Sequence, residues 1–220
     1  MITIQIDPSL AAVLKVGVVD LGGLTVHAEN PRWDVIEGLC AELRAEFGDT
    51  PIGRVPGVEW ARQLYSSVSI DPTKHRPSSE ALLRRALKGE PLHQINTLVD
   101  ALNWCSLEYL IPMGLYSTSR IEGDVAIRYG QPGEAYEGIG RGIVNLDGRL
   151  VAADRHGAFG SPTSDSYRTA VSVDTRQVLA ILYVPIDYPD DDLAEAVESF
   201  AERAQSWCGG EVQRTDVLRG

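Results

Sequence analysis

Residues 95–104 read Ile95-Asn-Thr-Leu-Val-Asp-Ala-Leu-Asn-Trp104 and lie within a predicted helix from Gln94 to Leu110. The helix has a predicted buried stripe with spacings of three or four residues, made of Ile95, Leu98, Val99, Leu102, Cys105 and Tyr109. Asn96, Asp100 and Asn103 fall at positions i, i+4 and i+7, so they share one flank. That flank is either a polar site whose members find partners or a face in contact with water.

Outward from this helix, apolar periodicity and Gly or Pro stop signals predict the other elements. Further helices are predicted at Pro31–Phe47, Val58–Tyr65, Pro77–Gly89 and Asp190–Trp207. Strands, with no signal peptide before them, are predicted at 1–7, Leu14–Asp20, Asp124–Tyr129, Arg149–Asp154, Thr169–Val173 and Gln177–Val184. This mixture predicts an α+β fold with a mixed, mostly antiparallel central sheet flanked by helices. Without a clear linker or repeat, residues 1–220 are expected to form a single domain.

The bulk composition is that of a soluble globular protein, with 220 residues, 44% hydrophobic and 23% charged. Its three cysteines, Cys40, Cys105 and Cys208, are too far apart to indicate a disulfide framework or a zinc site. They favour a reducing compartment. No apolar run approaches the roughly 20 residues that span a bilayer. We therefore expect a cytoplasmic protein with no membrane segment, no metal ion and no cofactor.

The net charge of −11 argues against a general nucleic-acid coat protein, but the charge is unevenly distributed. Residues 74–90 carry five basic against two acidic side chains, and residues 187–203 carry one against seven. The basic segment predicts RNA contacts by Arg76, Arg84, Arg85 and Lys88. The alternative is that Arg84, Arg85 and Lys88 only complement the dipole at the end of their helix.

A second polar segment is the loop Gly157-Ala-Phe-Gly-Ser-Pro-Thr-Ser-Asp-Ser166. Its hydroxyls and Asp165 either line a small polar pocket or cap local turns. The chain has no nucleophile elbow, P-loop or metalloprotease helix motif. Gly138-Ile-Gly-Arg-Gly142 lacks the spacing of a dinucleotide fingerprint and predicts a tight turn between strands.

In their order and separation, these segments resemble the editing module of phenylalanyl-tRNA synthetase beta subunits. The resemblance covers roughly residues 75–185 and rests on the 95–104 segment, Leu107-Glu108, Ile111–Met113, Ile121–Arg128, Pro132–Glu134, Asp147-Gly148, Leu150–Asp154, Phe159-Gly160, Ser164 and Thr169. In the synthetase, this module hydrolyses tyrosine wrongly attached to the phenylalanine tRNA. The resemblance therefore implies an aminoacyl-ester pocket that is entered by the 3′ end of tRNA, in a free-standing protein without aminoacylation domains.

The resemblance also implies roles for individual residues. Ester hydrolysis needs a positioned water and donors to the developing oxyanion, with no covalent nucleophile required. Asp165, Thr163 and Ser161 are the expected catalytic residues that hold water or substrate. Asn103, Asp100, Asn96 and Ser164 are the expected substrate-binding residues, and either Asp100 or Asp165 would hold the substrate amine.

The chain departs from the family at three polar positions. Leu102 replaces a threonine, Gly114 replaces a histidine, and Thr163 lies near the place of a glutamate. The resemblance therefore does not carry tyrosine specificity over to this chain. A deacylase of mischarged tRNA acting in trans consumes its substrate, whereas a non-catalytic module that binds RNA or a small amino-acid-like ligand protects it. A structural subunit, the third possibility, would expose a large apolar patch.

Overall fold

A computed structural model describes residues 2–220, and Met1, the start of the predicted first strand, lies outside them. The helices in this part of the chain are α1 Trp33–Phe47, α2 Val58–Ser67, α3 Ser78–Lys88, α4 Thr97–Tyr109 and α5 Asp190–Cys208. The strands are β1 Ile4–Ile6, β2 Leu14–Gly22, β3 Met113–Ser117, β4 Val125–Tyr129, β5 Ala135–Gly138, β6 Gly142–Asn145, β7 Leu150–Asp154, β8 Gly157–Gly160, β9 Gln177–Pro185 and β10 Glu211–Arg219.

The central sheet has the strand order β10-β2-β9-β3, and its neighbouring strands are all antiparallel. Strands β2 and β9 pair over nine residues, from Leu14 opposite Pro185 to Gly22 opposite Gln177. Every residue of β2 is buried. A strand that is buried along its whole length is expected where both faces of a sheet are covered.

Strands β1, β4, β7 and β8 form a second sheet in that order, in which only the β1–β4 pair is parallel. Strands β5 and β6 form a separate hairpin. The expected α+β class with mixed, mostly antiparallel pairing is confirmed. The hairpin also confirms the predicted tight turn, because its strands end and begin at Gly138 and Gly142.

The two faces of the central sheet pack against different layers. Val19 and Leu21 face the side covered by α4 and α5, whereas Val16 and Val18 face the side that packs on the second sheet and α2. This division follows from the alternation of side chains along a strand. Helices α1 and α3 pack with the C-terminal half of α4 in a separate hydrophobic cluster around Leu83. Helix α4 therefore packs against the central sheet and against helices α1, α3 and α5.

The predicted helices agree with the structure within a few residues at each end, but two other predictions are wrong. Residues 169–173 do not form a strand, because a 3-10 turn at Tyr167–Thr169 precedes a turn in which the Thr175 hydroxyl accepts the Ser172 amide proton. Ile95 lies outside the buried stripe and is 54% exposed. It precedes the start of α4, where the Asn96 side chain caps the helix.

Two glycines make room for the buried ring of Tyr116. A Cβ atom at Gly114 would lie 1.9 Å from the Tyr116 hydroxyl oxygen, and one at Gly160 would lie 2.2 Å from its Cε1. The ring packs edge-on against Phe159, with centroids 4.8 Å apart. Its hydroxyl lies 3.1 Å from that of Tyr183. Tyr116 therefore joins β3, β8 and β9, and it occupies the space beside Gly114.

We predict that Gly160→Ala lowers the free energy of unfolding by about 1–3 kcal/mol, since the methyl group would overlap a ring that is fully buried. Urea denaturation monitored by circular dichroism measures this change. Gly38→Ala is the matched control, because Gly38 lies in α1 and a Cβ there has no neighbour within 4 Å. The control is expected to raise stability by about 0.5–1 kcal/mol. Equal stabilisation by both substitutions would contradict the packing argument.

Candidate functional site

A cavity of about 430 Å³ lies between α4, β3 and the loop that follows β8. This volume is within the usual range for small-ligand sites. Its apolar wall consists of Val99, Leu102, Met113, Leu115, Pro162, Ala170 and Val171, and its polar lining of Ser78, Asn103, Ser161, Thr163, Ser164 and Asp165. Three large side chains at the rim of the cavity are each about half exposed: Ile95, Ile139 and Tyr167. The cavity therefore presents polar groups opposite an apolar surface.

The structure divides the predicted site residues of α4 into two groups. Asn103 lines the cavity. Asn96 and Asp100 lie outside it and are buried at the start of the helix. The Asn96 side-chain oxygen Oδ1 accepts hydrogen bonds from the backbone amides of Leu98 and Val99, at 3.2 and 3.0 Å. Asn96 therefore caps α4.

Asp100 has both carboxylate oxygens engaged within the protein. Its Oδ1 accepts the Ile95 amide proton at 2.9 Å, and its Oδ2 accepts a proton from the Asn30 side chain at 3.3 Å. Burial raises the pKa of Asp100, and these hydrogen bonds oppose that shift. The flank that carries Asn96 and Asp100 is therefore not a solvated face. It stabilises the helix on which Asn103 reaches the cavity.

Ser161 organises the loop of residues 161–165. Its hydroxyl donates to the Ser164 carbonyl oxygen at 2.9 Å and accepts the amide protons of Thr163 and Ser164, at 3.3 and 3.1 Å. The backbone amide of Ser161 also donates to the Ser164 carbonyl oxygen, at 2.9 Å. These contacts use the single proton and both lone pairs of the hydroxyl. The geometry thus favours a role for Ser161 in holding the loop.

Two buried tyrosines hold the same loop from outside. The Tyr65 hydroxyl lies 2.9 Å from the Pro162 carbonyl oxygen and 2.9 Å from Thr163 Oγ1. Since a carbonyl only accepts, Tyr65 gives its one proton to Pro162, and Thr163 donates to Tyr65. In the same way, Tyr136 donates to the Ser164 carbonyl at 2.6 Å and accepts from Ser164 Oγ at 3.1 Å. Thr163 and Ser164 therefore keep hydroxyl lone pairs that can accept protons from a ligand or water.

Asp165 is the carboxyl group of the cavity lining. Its backbone carbonyl accepts the Ile139 amide proton at 3.0 Å, which ties the loop to the β5–β6 turn. Burial raises the pKa of the Asp165 carboxyl to about 7, and hydrogen bonding by Tyr116 and nearby backbone amides opposes this shift. None of these groups reaches Oδ1 in good hydrogen-bonding geometry, and this buried oxygen has no partner within residues 2–220. A carboxyl with a strongly raised pKa beside a cavity is a candidate for proton transfer.

The basic residues that are predicted to contact RNA lie on α3 or just before it, and acidic groups partly neutralise them. Arg76 lies 3.7 Å from Glu80, and Lys88 lies 3.6 Å from Glu90. Arg84 is exposed on α3. Arg85 lines a smaller groove that adjoins the cavity. The four predicted RNA-contacting residues therefore share a region, but only Arg85 reaches a cavity wall connected to the candidate site.

Sequence reasoning missed several residues that build this site, above all Tyr65, Tyr116 and Tyr136. They lie on α2, β3 and β5, far along the chain from the loop that they hold. The one available signal was the pair of glycines that flank Tyr116, at 114 and 160, because glycine in a strand often marks a close approach. No local pattern connects Tyr65 or Tyr136 with residues 161–165.

We predict that Asp165→Asn raises stability relative to wild type at pH 8, and that this gain shrinks as the pH falls. The folded wild type holds the Asp165 proton up to about pH 7, whereas an unfolded aspartate loses it near pH 4. Wild type therefore loses stability as the pH rises from about 4 to about 7, and the neutral asparagine does not.

Urea denaturation of both proteins between pH 4 and 8.5 measures the difference. Asp124→Asn, at an exposed aspartate, is the control and should show little dependence on pH relative to wild type. A stability gain for Asp165→Asn that stays constant across the range would contradict the assigned burial of the charge.

Within residues 2–220, none of the helices combines the length and hydrophobicity needed to cross a membrane. The same residues contain no group of three or more His, Cys, Asp or Glu side chains arranged to hold a metal ion.

Comparisons with known proteins agree with this architecture. The model of the B3/4 domain matches residues 61–185, more than half of the chain. An N-terminal fragment of the phenylalanyl-tRNA synthetase beta subunit from Pyrococcus horikoshii has a similar fold, with a TM-score of 0.51 over 100% of this chain. The two share 11% sequence identity, and the chain spans 55% of that fragment. A search of curated proteins gave no match.

The match to the B3/4 domain covers the whole segment that carries the resemblance, residues 75–185, and confirms the resemblance. The structural similarity supports only the fold, since the sequence identity is low. The chain therefore belongs to the B3/4 domain family, which is found in the phenylalanyl-tRNA synthetase beta subunit.

Proposed function

We propose that this protein binds the 3′ end of an aminoacyl-tRNA in the cytoplasm and hydrolyses the ester of a mischarged amino acid in trans. The observation that carries the proposal is the cavity, in which the loop with Thr163, Ser164 and Asp165 lies opposite an apolar wall. Membership of the B3/4 domain family supports the link to tRNA. We expect residues 1–220 to act as one domain.

The apolar wall suits the side chain of the amino acid, and the polar groups suit its ester and amine. Leu102, Met113 and Leu115 offer a surface without hydrogen-bonding groups. The Asn103 amide has both donors and an acceptor, so it can orient the ester carbonyl and donate to the oxyanion that forms on it. The free lone pair of Ser164 Oγ can accept a hydrogen bond from the substrate amine.

Asp165 and Thr163 are the proposed partners of the attacking water. A carboxyl with a pKa of about 7 is well matched to proton transfer at neutral pH. Ionised Asp165 takes a proton from the water, whose oxygen attacks the ester carbonyl carbon. The bond to the ribose oxygen then breaks, and the proton passes to that oxygen to give the tRNA hydroxyl and the free amino acid. The Thr163 hydroxyl oxygen accepts a hydrogen bond from the other O–H of the water and holds the water in position, while its own proton is donated to Tyr65.

The alternative function is a non-catalytic module that binds RNA or a small amino-acid-like ligand. One observation favours it: among residues 2–220, the cavity lining contains one carboxyl group, Asp165, and no histidine or lysine. A lone carboxyl that instead paired with the substrate amine would bind the ester without activating water. The two functions differ in outcome, because a deacylase shortens the life of the ester and a binder prolongs it.

Hydrolysis of a panel of labelled aminoacyl-tRNAs tests the proposal. We predict that wild type deacylates at least one mischarged species above the blank rate, and that Asp165→Asn lowers kcat about 100-fold or more with little change in KM. Thr163→Val keeps the shape of the side chain but removes the hydroxyl, and it is expected to lower kcat about tenfold.

Asp147→Asn is the matched control, since Asp147 is exposed and lies outside the cavity lining. Circular dichroism of each variant checks that it is folded. If every ester decays at the blank rate, catalysis on these substrates is rejected. If esters survive longer with wild type than without protein, the binding function is the better account.

A further inference from the structure

A second groove, of about 200 Å³, adjoins the cavity on the side of α3. The two share the lining residues Ser78, Leu102, Asn103 and Met113, so they form one continuous depression. The groove adds two guanidinium groups to its lining, those of Arg85 on α3 and Arg141 in the β5–β6 turn. Two arginines in one small groove are notable in a chain with a net charge of −11.

Arg141 is an exposed cation without an internal partner. It lies between Gly140 and Gly142, whose φ angles of +68° and +67° shape the turn. Within residues 2–220, its side chain makes no ion pair with an acidic group. Burial raises the pKa of Tyr65 and of Tyr136, and the Arg141 charge opposes both shifts. The positive field of Arg141 therefore extends to the tyrosines that hold the loop of the candidate site.

Arg85 is held in place by the protein. Its Nε and Nη2 donate to the Pro91 carbonyl oxygen, at 3.1 and 2.6 Å. Its Nη1 lies 3.8 Å from Glu90, a surface carboxylate that also lies 3.6 Å from Lys88. Glu90 thus offsets part of the Arg85 charge but is shared between two cations. The groove therefore carries one guanidinium held by the protein, that of Arg85, and one exposed guanidinium without an ion pair, that of Arg141.

This arrangement matches the chemistry of a phosphate group, which arginine binds through charge-assisted and often paired hydrogen bonds. In an aminoacyl-tRNA, the 5′-phosphate of the terminal nucleoside lies across the ribose from the acylated hydroxyl. With the acyl group in the cavity, the ribose would lie at the shared edge near Asn103 and Met113. The phosphate would then enter the groove.

We propose that Arg141 and Arg85 form an anion subsite that binds the terminal phosphodiester of the RNA whose acyl group enters the cavity. The subsite rests on the proposed function for the identity of its ligand. It gives the RNA chain a direction, along α3 and the β5–β6 turn.

A different groove leaves the cavity past Tyr167 and is lined by Arg120 and Arg168. It is less suited to phosphate, since Arg168 is paired with Asp154 at 2.8 and 2.9 Å. Asp174 also lines it and adds a negative charge. This groove is the competing path for the RNA, and Arg120 is its most exposed cation.

Calorimetric binding of two stable amide analogues tests the subsite. The probes are 3′-(L-phenylalanylamino)-3′-deoxyadenosine and the same compound with a 5′-phosphate. We expect wild type to bind the phosphorylated analogue about tenfold more tightly, as for a charge-assisted hydrogen bond. Arg141→Gln should abolish most of this preference and leave the affinity for the unphosphorylated analogue unchanged.

Arg155→Gln is the charge-matched control, because Arg155 is exposed and lines neither the groove nor the cavity. It should keep the full preference for phosphate. Three results would overturn the subsite: no preference in wild type, equal weakening of both analogues by Arg141→Gln, or loss of the preference only in Arg120→Gln. Neither analogue is hydrolysed, so phosphate-dependent binding without deacylation of tRNA would refute the proposed catalysis and leave the subsite standing.

Discussion

The nine-residue ladder between β2 and β9 is the constraint on which the other layers depend. It joins two segments that are far apart in the chain, and both of its faces are covered by layers that pack directly against it. Helices α4 and α5 cover one face, and the second sheet covers the other. Strand β3 pairs with the free edge of β9. This pairing brings Met113 and Leu115 to the cavity wall.

The candidate site is a polar loop held over a buried aromatic layer. Buried polar groups are costly unless they are paired, and a fully paired network specifies one arrangement. Tyr65 and Tyr136 supply those pairs for the carbonyl oxygens of Pro162 and Ser164. Asp165 is the exception, since its Oδ1 has no partner among residues 2–220. An unpaired polar atom in an otherwise satisfied network is where a functional role is expected.

Membership of the B3/4 domain family and the geometry of the cavity carry different parts of the functional argument. The family connects the chain with a domain of the phenylalanyl-tRNA synthetase beta subunit. The geometry shows that position 114 has no room for a side chain, because the Tyr116 hydroxyl occupies the volume that such a side chain would need. The cavity accordingly offers an apolar wall formed in part by Leu102 and Met113. Its specificity is expected to follow from that wall.

The sequence by itself determined the local elements and, through the resemblance, the fold class. Helices such as α4 follow from apolar spacing and capping residues that are close together in the chain, and the β5–β6 turn follows from glycines at 138, 140 and 142. Strands β3 and β10 were missed, because their pairing partners lie far away in sequence. Strand β8 was missed because its four residues, two of them glycine, indicate the start of a polar loop. The expectation of a single domain over residues 1–220 stays a prediction.

Only the tertiary structure decided which polar residues reach the site. Asp100 and Asp165 were alternative candidates in the sequence for holding the substrate amine, since both are carboxylates in polar segments that resemble the family. Folding turns Asp100 towards the Ile95 amide and leaves Asp165 on the cavity wall with a raised pKa. Arg141 lines the adjoining groove only because the fold places the β5–β6 turn beside it. Burial, pKa and convergence depend on contacts between distant segments, and these contacts have no signature in a local stretch of sequence.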